Sequence, residues 1–427
     1  MTFLNKIKNY QQFIIFVILV ILASLIFSFV YLNKYTYLIG ENNNIFFPGI
    51  PFGYGPLITN LIENGTYLSE KNGINYNFEK LPVLPLLIFF ISKITSNFYL
   101  MVILKNLITF SVLYWLIIFY LKSLKLSIHY IYFYLVIFLI PYNMFVASVF
   151  EFAECITVIL LPSLFLILIS KVKKKYFIAS LIIFILYLTK TSMLFVSLML
   201  PIIIVILNIG KNFKEKTYFI FLGPTVAILI WATFGYIKAG RILIGTDILS
   251  VNSIGLSIAS DERFFEFYPN KSMDLLESKI KYPKELKTEW DIFDYHKKKN
   301  KEYFSDKKNV KNYLFTFPKK IMILLFYIKR DSAHPNENGI FKNPIRYSLI
   351  PNKIFINISI LLSFFSIIKS LKKRKLIHCD LIFISMLFLS LLPLIAGWAT
   401  AKHIVPISVL CFFYIVHKIF VFKKIIK

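Results

Sequence analysis

The sequence predicts an all-α polytopic membrane protein, and three observations support that class. Hydrophobic residues make up 57% of the 427 residues and charged residues only 17%, against roughly 25% charged in a typical soluble domain. The mean hydropathy is +0.68. Several apolar runs reach the length of about 20 residues that a helix needs to cross a bilayer. These features exclude a soluble enzyme, and continuous apolar runs do not fit the alternating strands of a β-barrel.

Eleven apolar runs are candidate membrane spans. The first follows two lysines and is too long for a signal peptide, so we expect a retained anchor with its N-terminus inside. The run at 82–94 is short and opens with prolines, so we expect it not to cross fully. A bundle of about 10–12 transmembrane helices is therefore predicted. The runs lie at 13–32, 82–94, 98–121, 129–148, 152–170, 176–189, 192–208, 217–238, 353–370, 378–398 and 403–422.

Basic clusters between these runs orient the chain, because cytoplasmic loops carry an excess of Lys and Arg. Two polar segments, 33–80 and 239–350, then lie outside. Helical periodicity at 284–327 predicts amphipathic helices on that outer face. The clusters assigned to the inside lie at 171–175, 211–216, 372–375 and 423–427.

This orientation divides the chain into three parts. Residues 1–238 form an N-terminal transmembrane module with its first outer loop at 33–80. Residues 239–350 form an extracytoplasmic segment that is polar and amphipathic, and 351–427 form the C-terminal transmembrane helices. The division predicts a multi-pass protein of the cytoplasmic (inner) membrane.

The net charge of +27 does not indicate nucleic-acid binding, because much of the basic charge lies in short stretches between apolar runs. Membrane lipid is the expected partner. The histidines show no metal-ligand spacing and the three cysteines lie far apart, so neither a zinc site nor a disulfide framework is predicted.

Ionisable residues converge near the outer ends of the predicted spans. Such groups are costly in a membrane and therefore mark candidate sites. Ordinary explanations compete: a solvated helix start or loop for the carboxylates, and snorkelling or interfacial anchoring for the cations. The candidates are Glu41, Glu63, Glu151 and Glu154 among the acids, and Lys80, Lys190, Lys402 and His403 among the bases.

Several short motifs, in order along the chain, resemble the GT-C superfamily of membrane glycosyltransferases. The stretch at 56–88 is similar to the first outer loop of its protein mannosyltransferase and aminoarabinose transferase branch (glycosyltransferase family 39-like). Leu188-Thr-Lys-Thr-Ser resembles that branch's Leu-Thr-Arg-Pro-Thr hairpin, and Lys402-His-Ile-Val-Pro resembles its Arg-Tyr-x-x-Pro. Residues 285–327 resemble its outer amphipathic helices, and Glu151 and Glu154 open a span as an acid often does there.

The resemblance implies a GT-C-like bundle that transfers a sugar from a polyprenyl-phosphate donor to a glycan, lipid or protein on the outer or periplasmic face. Such a reaction needs a carboxylate base and cations for the leaving phosphate. The first outer loop lacks the expected Asp at 46–55, so Glu41 or Glu63 is the candidate base, with Glu151 and Glu154 shaping the site. Lys80, Lys190, Lys402 and His403 are the candidate phosphate ligands.

Two other functions stay open. A lipid-linked oligosaccharide flippase or glycan-assembly protein would carry charge deep in several spans, whereas here Lys105 is the main such residue. The missing Asp also leaves an inactive GT-C relative possible. No cofactor is predicted, and a divalent metal is left open.

Overall fold

The computed structural model describes residues 3–27, 54–71, 74–78, 80–148, 153–208, 216–244, 283, 285–326, 349–372, 378–396 and 401–426. These ranges form a helical bundle with one short hairpin. The helices are α1 (Phe3–Phe27), α2 (Gly55–Glu63), α3 (Val83–Ser92), α4 (Phe98–Ser123), α5 (Ile128–Leu139), α6 (Pro141–Ser148), α7 (Glu154–Ile169), α8 (Lys175–Tyr187), α9 (Leu194–Leu207), α10 (Leu222–Ala239), α11 (Glu289–Ser305), α12 (Lys307–Leu325), α13 (Leu349–Lys372), α14 (His378–Ala396) and α15 (Ala401–Ile426). The hairpin pairs β1 (Ser69–Lys71) with β2 (Ile74–Tyr76) in antiparallel register.

Five helices within these ranges are long and apolar enough to cross a bilayer, and the bent pair α5 and α6 would make a sixth. The five are α4, α10 with the 3₁₀ turn before it, α13, α14 and α15. Helices α3, α7, α8 and α9 are apolar but shorter. The predicted class, an all-α membrane protein, is therefore confirmed, and the figure of about 10–12 spans stays a prediction.

Helix α7 lies in the core of the bundle, where its side chains from Glu154 to Leu168 are buried. Its sequence is apolar on all sides, as expected for a helix that neighbours surround. It packs against α4, α8 and α15. Because α7 begins at Glu154, the core presents a carboxyl group at one end of the bundle.

Helices α1 and α4 run antiparallel. The rings of Phe16 and Tyr114 lie 4.6 Å apart, and Asn106 Nδ2 donates to Ser24 Oγ at 2.9 Å. From Phe16 to Ser24 the residue numbers rise along α1, whereas their partners on α4 fall from Tyr114 to Asn106. The two helices therefore run in opposite directions. The start of α4 is fixed by Asn97, whose Oδ1 accepts from the backbone N–H of Leu100.

A sharp bend of 89° separates α5 from α6. Pro141 has no backbone N–H, and its ring disfavours the helical conformation in the residue before it. That residue, Ile140, has an extended backbone. Asn143 Nδ2 donates to the carbonyl of Ile137 at 3.0 Å and also to Asn352 Oδ1 at 3.0 Å. The Asn143 side chain thus pairs with a backbone carbonyl that lies at the bend in an apolar region.

An aromatic layer formed by Phe78, Trp231, Phe234 and Trp290 covers the end of the bundle where α8 ends. The ring of Phe78 lies 5.3 Å from Phe234 and 5.5 Å from Trp290. The buried Glu289 accepts hydrogen bonds from the backbone N–H groups of Asn77 and Phe78 at 3.0–3.2 Å. The layer joins the first loop to α10 and α11.

The predicted helices within 284–327 are present as α11 and α12. A capping box begins α11, in which Thr288 Oγ1 accepts from the backbone N–H of Asp291 and the Asp291 carboxylate accepts from that of Thr288. Helix α12 exposes Phe315 and Met322 and buries Leu324 on its other side. It is amphipathic, as predicted, and its place on a membrane surface stays a prediction.

Gly223 generates a direct prediction, because α8 and α10 touch there backbone to backbone. A Cβ at Gly223 would lie 1.9 Å from the carbonyl oxygen of Ser180. We expect Gly223→Val to destabilise the protein by about 3 kcal/mol or more, since overpacking costs up to about that much even against yielding side chains. Thermal unfolding in detergent measures this. Val226→Leu, at an exposed position of the same helix, is the matched control and should unfold like the wild type.

His296 generates a second prediction, on pH. Burial lowers the pKa of His296 from 6.5 to about 4, so its neutral form belongs to the folded state. The unfolded segment binds the proton more tightly, and α11 should therefore lose stability as pH falls from about 6.5 towards 4. Hydrogen exchange of 289–305, corrected for its intrinsic pH dependence, should rise between pH 7 and 5. His296→Gln should flatten that rise and the exposed control His129→Gln should not; an unchanged slope in His296→Gln would contradict the assignment.

Candidate functional site

Glu154 is the first residue of α7 and is 3% exposed. The N-terminus of a helix carries unpaired N–H groups and a partial positive charge, which favour a carboxylate in the first turn. Burial of a charged group in an apolar bundle is costly unless partners compensate it. The sequence predicted Glu154 as a candidate, and its partners define the site.

Lys190 lies in the turn between α8 and α9. Its backbone is extended, and its carbonyl accepts from the N–H of Met193 at 2.9 Å, which closes a 3₁₀ turn over Thr191–Met193. This turn directs the side chain towards α7. The Lys190 Nζ donates to Glu154 Oε1 at 2.5 Å, and the Lys190 side chain is 15% exposed.

His403 contributes a second partner, an imidazole, from α15. Its Nε2 lies 3.0 Å from the same Glu154 Oε1, and its side chain is 19% exposed. Glu154, Lys190 and His403, here named the Glu154 cluster, thus unite α7, the α8–α9 turn and α15. These residues are distant in sequence and were predicted to lie near one surface, so their direct contact is the main finding at this site.

The geometry places one carboxylate between an ammonium and an imidazole. Hydrogen bonds between charged groups are stronger than neutral ones, and a low dielectric strengthens them further. The carboxylate holds the Lys190 ammonium and the His403 imidazole in fixed positions at the end of the bundle. Their partial exposure leaves them accessible from that end, so the cluster has the chemistry to bind an anion.

Lys80 and the first loop lie close to the same turn. The Lys80 Nζ is 5.9 Å from the centre of the Tyr54 ring, and the Tyr54 hydroxyl donates to the carbonyl of Thr189 at 3.0 Å. The backbone N–H of Val83 donates to the carbonyl of Leu188 at 3.1 Å. Lys80 is thus connected through Tyr54 to the residue beside Lys190, as a site residue of the first loop would be.

The other predicted residues are not brought to the cluster by the described structure. Glu41 and Glu151 lie outside the described residues, as does the side chain of Lys402. Glu63 is exposed in the last turn of α2 and makes no ion pair within the described ranges. Nor do His, Cys, Asp and Glu side chains of the described residues form a group of three suited to a metal ion.

A second buried ion pair, which sequence reasoning missed, lies elsewhere along α15. Asp380 is fully buried, and Lys418 Nζ lies 2.5 Å from its Oδ1. Tyr414 donates to Oδ1 at 2.8 Å and Ser366 donates to Oδ2. His403 and Lys418 are about 22 Å apart along the helix at 1.5 Å per residue, so the two pairs lie near opposite ends of α15.

The prediction that Lys105 is the main charge within the spans is therefore incomplete. Lys105, Lys353, Asp380 and Lys418 all lie within helices long and apolar enough to cross a bilayer. Lys105 and Lys353 each donate to a backbone carbonyl, of Ala147 and Leu324 respectively. Mean hydropathy over a window of residues could not reveal these charges, because one charged residue changes the mean of a long apolar window only slightly. Their Lys or Asp identity inside a span was the available signal.

Substitutions in the Glu154 cluster should show how much its ion pair contributes to the free energy of unfolding. We expect Glu154→Gln to destabilise the protein by about 3–5 kcal/mol, because it leaves the mostly buried Lys190 ammonium without its counter-charge. Lys190→Met in the Glu154→Gln background should then cost much less than it does alone. Unfolding of the single and double variants in mixed micelles measures this coupling energy.

The exposed Arg241–Asp294 pair is the matched control for that cycle. Its side chains are 43% and 56% exposed and its N–O distance is 3.3 Å. The cycle of Arg241→Met and Asp294→Asn should give a coupling of about 0–1 kcal/mol. Equal coupling energies for the two pairs would show that burial adds nothing to the Glu154 pair.

Comparison with known proteins gives no family assignment for this geometry. No protein-family model, no curated protein and no solved structure matches the chain. The described residues show an all-α membrane protein with a buried carboxylate–lysine–histidine cluster, and its resemblance to the GT-C superfamily stays a prediction from short motifs.

Proposed function

We propose that this protein is a membrane glycosyltransferase of GT-C type. It transfers a sugar from a polyprenyl-phosphate donor to a cell-surface glycan, lipid or protein on the outer face of the cytoplasmic membrane. The observation that supports this most is the Glu154 cluster, because a buried ionisable group in a membrane bundle marks a functional site by default. An ammonium and an imidazole held by one carboxylate offer hydrogen-bond donors that suit an anionic lipid phosphate.

The proposed topology has ten crossings, with both chain ends inside. Ten is even, as two chain ends on the same side require, whereas eleven crossings would put the ends on opposite sides. Helix α3 has 10 residues, which makes it the shortest of the apolar helices that stand alone in the described ranges, and in this topology it stays on the outer side. Ser123 and Lys171 lie together, since Ser123 Oγ accepts from the Lys171 N–H, so α4 and α7 both end on the basic side. The crossings are α1, α4, the α5–α6 pair, α7, α8, α9, α10, α13, α14 and α15.

In this topology the Glu154 cluster lies at the outer end of the bundle. Helices α7 and α15 start there, and α8 ends there. The basic loop between α7 and α8, at 171–175, is at the other end, on the cytoplasmic side. A donor phosphate at the outer interface would then contact Lys190 and His403 while its polyprenyl tail lies among the spans.

The proposed reaction breaks the bond between the sugar's anomeric carbon and the phosphate oxygen and forms a bond to the acceptor oxygen. The acceptor hydroxyl loses its proton to a carboxylate, for which Glu41 and Glu63 are the candidates. Lys190, His403, Lys80 and Lys402 stabilise the charge that develops on the leaving phosphate. Glu154, with Glu151, shapes the site and orients the cations.

A glycan-assembly protein or lipid-linked oligosaccharide flippase is the second candidate, and one observation favours it. Buried polar groups lie at several depths of the bundle, among them Lys105 and the pair Asn143–Asn352, whose amides exchange hydrogen bonds at 3.0 and 2.7 Å. A transport pathway is lined by such groups. These amides satisfy each other and the bend at Ile137, which suits a structural role better.

Lipid analysis in the native host tests the proposal. We expect Glu154→Gln and Lys190→Met to reduce sugar transfer by about 100-fold or more, since removing a charge-stabilising group typically costs that much. The polyprenyl-phosphate sugar should accumulate and one surface sugar should disappear. Mass spectrometry of surface glycans and lipid-linked sugars in variant and deletion strains measures both.

Asp294→Asn is the matched control, because it removes an exposed acid from the outer segment without touching the cluster. Its glycans should equal those of the wild type. A complete lipid-linked oligosaccharide accumulating on the inner leaflet would instead identify a flippase. Unchanged glycans in the deletion strain would rule out the transferase and leave an inactive relative.

A further inference from the structure

Lys105 makes a contact whose position suggests a role at the candidate site. It lies on α4 with its side chain fully buried, and its Nζ donates to the backbone carbonyl of Ala147 in the last turn of α6. The last carbonyls of a helix have no partner within the helix, and in an apolar bundle water does not replace one. The ammonium of Lys105 therefore fixes the C-terminal end of α6.

The neighbouring residue on α4 strengthens this attachment. Asn106 Nδ2 donates to Ser148 Oγ at 3.0 Å and to Ser24 Oγ at 2.9 Å. Lys105 and Asn106 together tie the last two residues of α6 to α4 and, through Ser24, to α1. This end of α6 leads directly into the connection to α7.

The other end of α6 is held as well. Asn143 bonds to Asn352 on α13 and to the carbonyl of Ile137 across the bend. Helix α6, which is buried along its length, is thus fixed at both ends. A buried helix fixed in this way sets where the next helix begins, and α7 begins at Glu154.

Helix α6 also packs directly against α7. Holding α6 in place therefore constrains α7, whose first turn carries the Glu154 carboxylate. Lys190 and His403 approach that carboxylate from the α8–α9 turn and from α15.

We infer that Lys105 is a positioning residue for the site: by holding the end of α6 it sets the position of Glu154, and through Glu154 that of Lys190 and His403. It lies too deep to touch a ligand. Its effect on ligands rests on the proposed function, in which the cluster binds a lipid phosphate, while its effect on the start of α7 does not depend on that function.

The test measures both effects on the full-length protein in nanodiscs. Hydrogen exchange reports the mobility of residues 153–157, and titration with polyprenyl phosphate reports ligand affinity. We expect Lys105→Met to raise exchange at 153–157 and to weaken binding about tenfold, while Lys105→Arg, which keeps a charged donor, restores most of both. In the Glu154→Gln background, Lys105→Met should no longer change the affinity.

Lys353→Met is the matched control, because Lys353 is also a buried lysine that donates to a backbone carbonyl, that of Leu324. It should raise exchange around 320–326 and leave 153–157 and the affinity unchanged. If Lys105→Met fails to assemble, Lys105→Gln, whose shorter side chain keeps a neutral donor, takes its place, and we then expect smaller changes in the same direction.

The outcomes separate the inference from the proposed function. A wild type that does not bind polyprenyl phosphate would count against the function, and exchange at 153–157 would still decide the role of Lys105. Wild-type exchange at 153–157 in Lys105→Met would overturn the inference, as would a uniform rise across all helices, which a general packing role predicts.

Discussion

The ion pair between Glu154 and Lys190 is the interaction on which the arrangement of this bundle depends. A carboxylate 3% exposed inside an apolar core is tolerable only with a close counter-charge. That requirement brings the α8–α9 turn against the start of α7, and His403 extends it to α15. The surrounding elements serve the same contact, because the first loop bonds to the turn at Leu188 and Thr189.

The two buried ion pairs within the described residues differ in their partners. Asp380 accepts from a serine and a tyrosine as well as from Lys418, so neutral donors share its charge. The stacking of Phe383 on Tyr414 at 3.9 Å encloses that pair in apolar surface. Such a network is typical of a link between helices. Glu154 instead pairs with two groups that can both be cationic, and this difference in chemistry, rather than burial, distinguishes a candidate ligand site from a structural one.

Charge patterns in the sequence predict much of this architecture, because basic loops and apolar runs follow the physics of the bilayer. They placed Glu154, Lys190 and His403 at one surface, and the structure brings these side chains into contact. Contacts to backbone could not be predicted in this way: the partner of Lys105 is the carbonyl of Ala147, and every residue has a carbonyl. The approach of Gly223 to Ser180 is likewise invisible, since it depends on how two helices cross. Glu41 and Glu151 lie outside the described residues, so their part in the site stays a prediction.

Helix α15 holds one ionic contact near each of its ends, His403 with Glu154 and Lys418 with Asp380. These contacts, about 22 Å apart, fix α15 at two points, because sliding or tilting the helix would break both contacts together. The bundle therefore resists deformation along this line, and any movement that opens the Glu154 end must leave α15 in place and shift the elements packed around it.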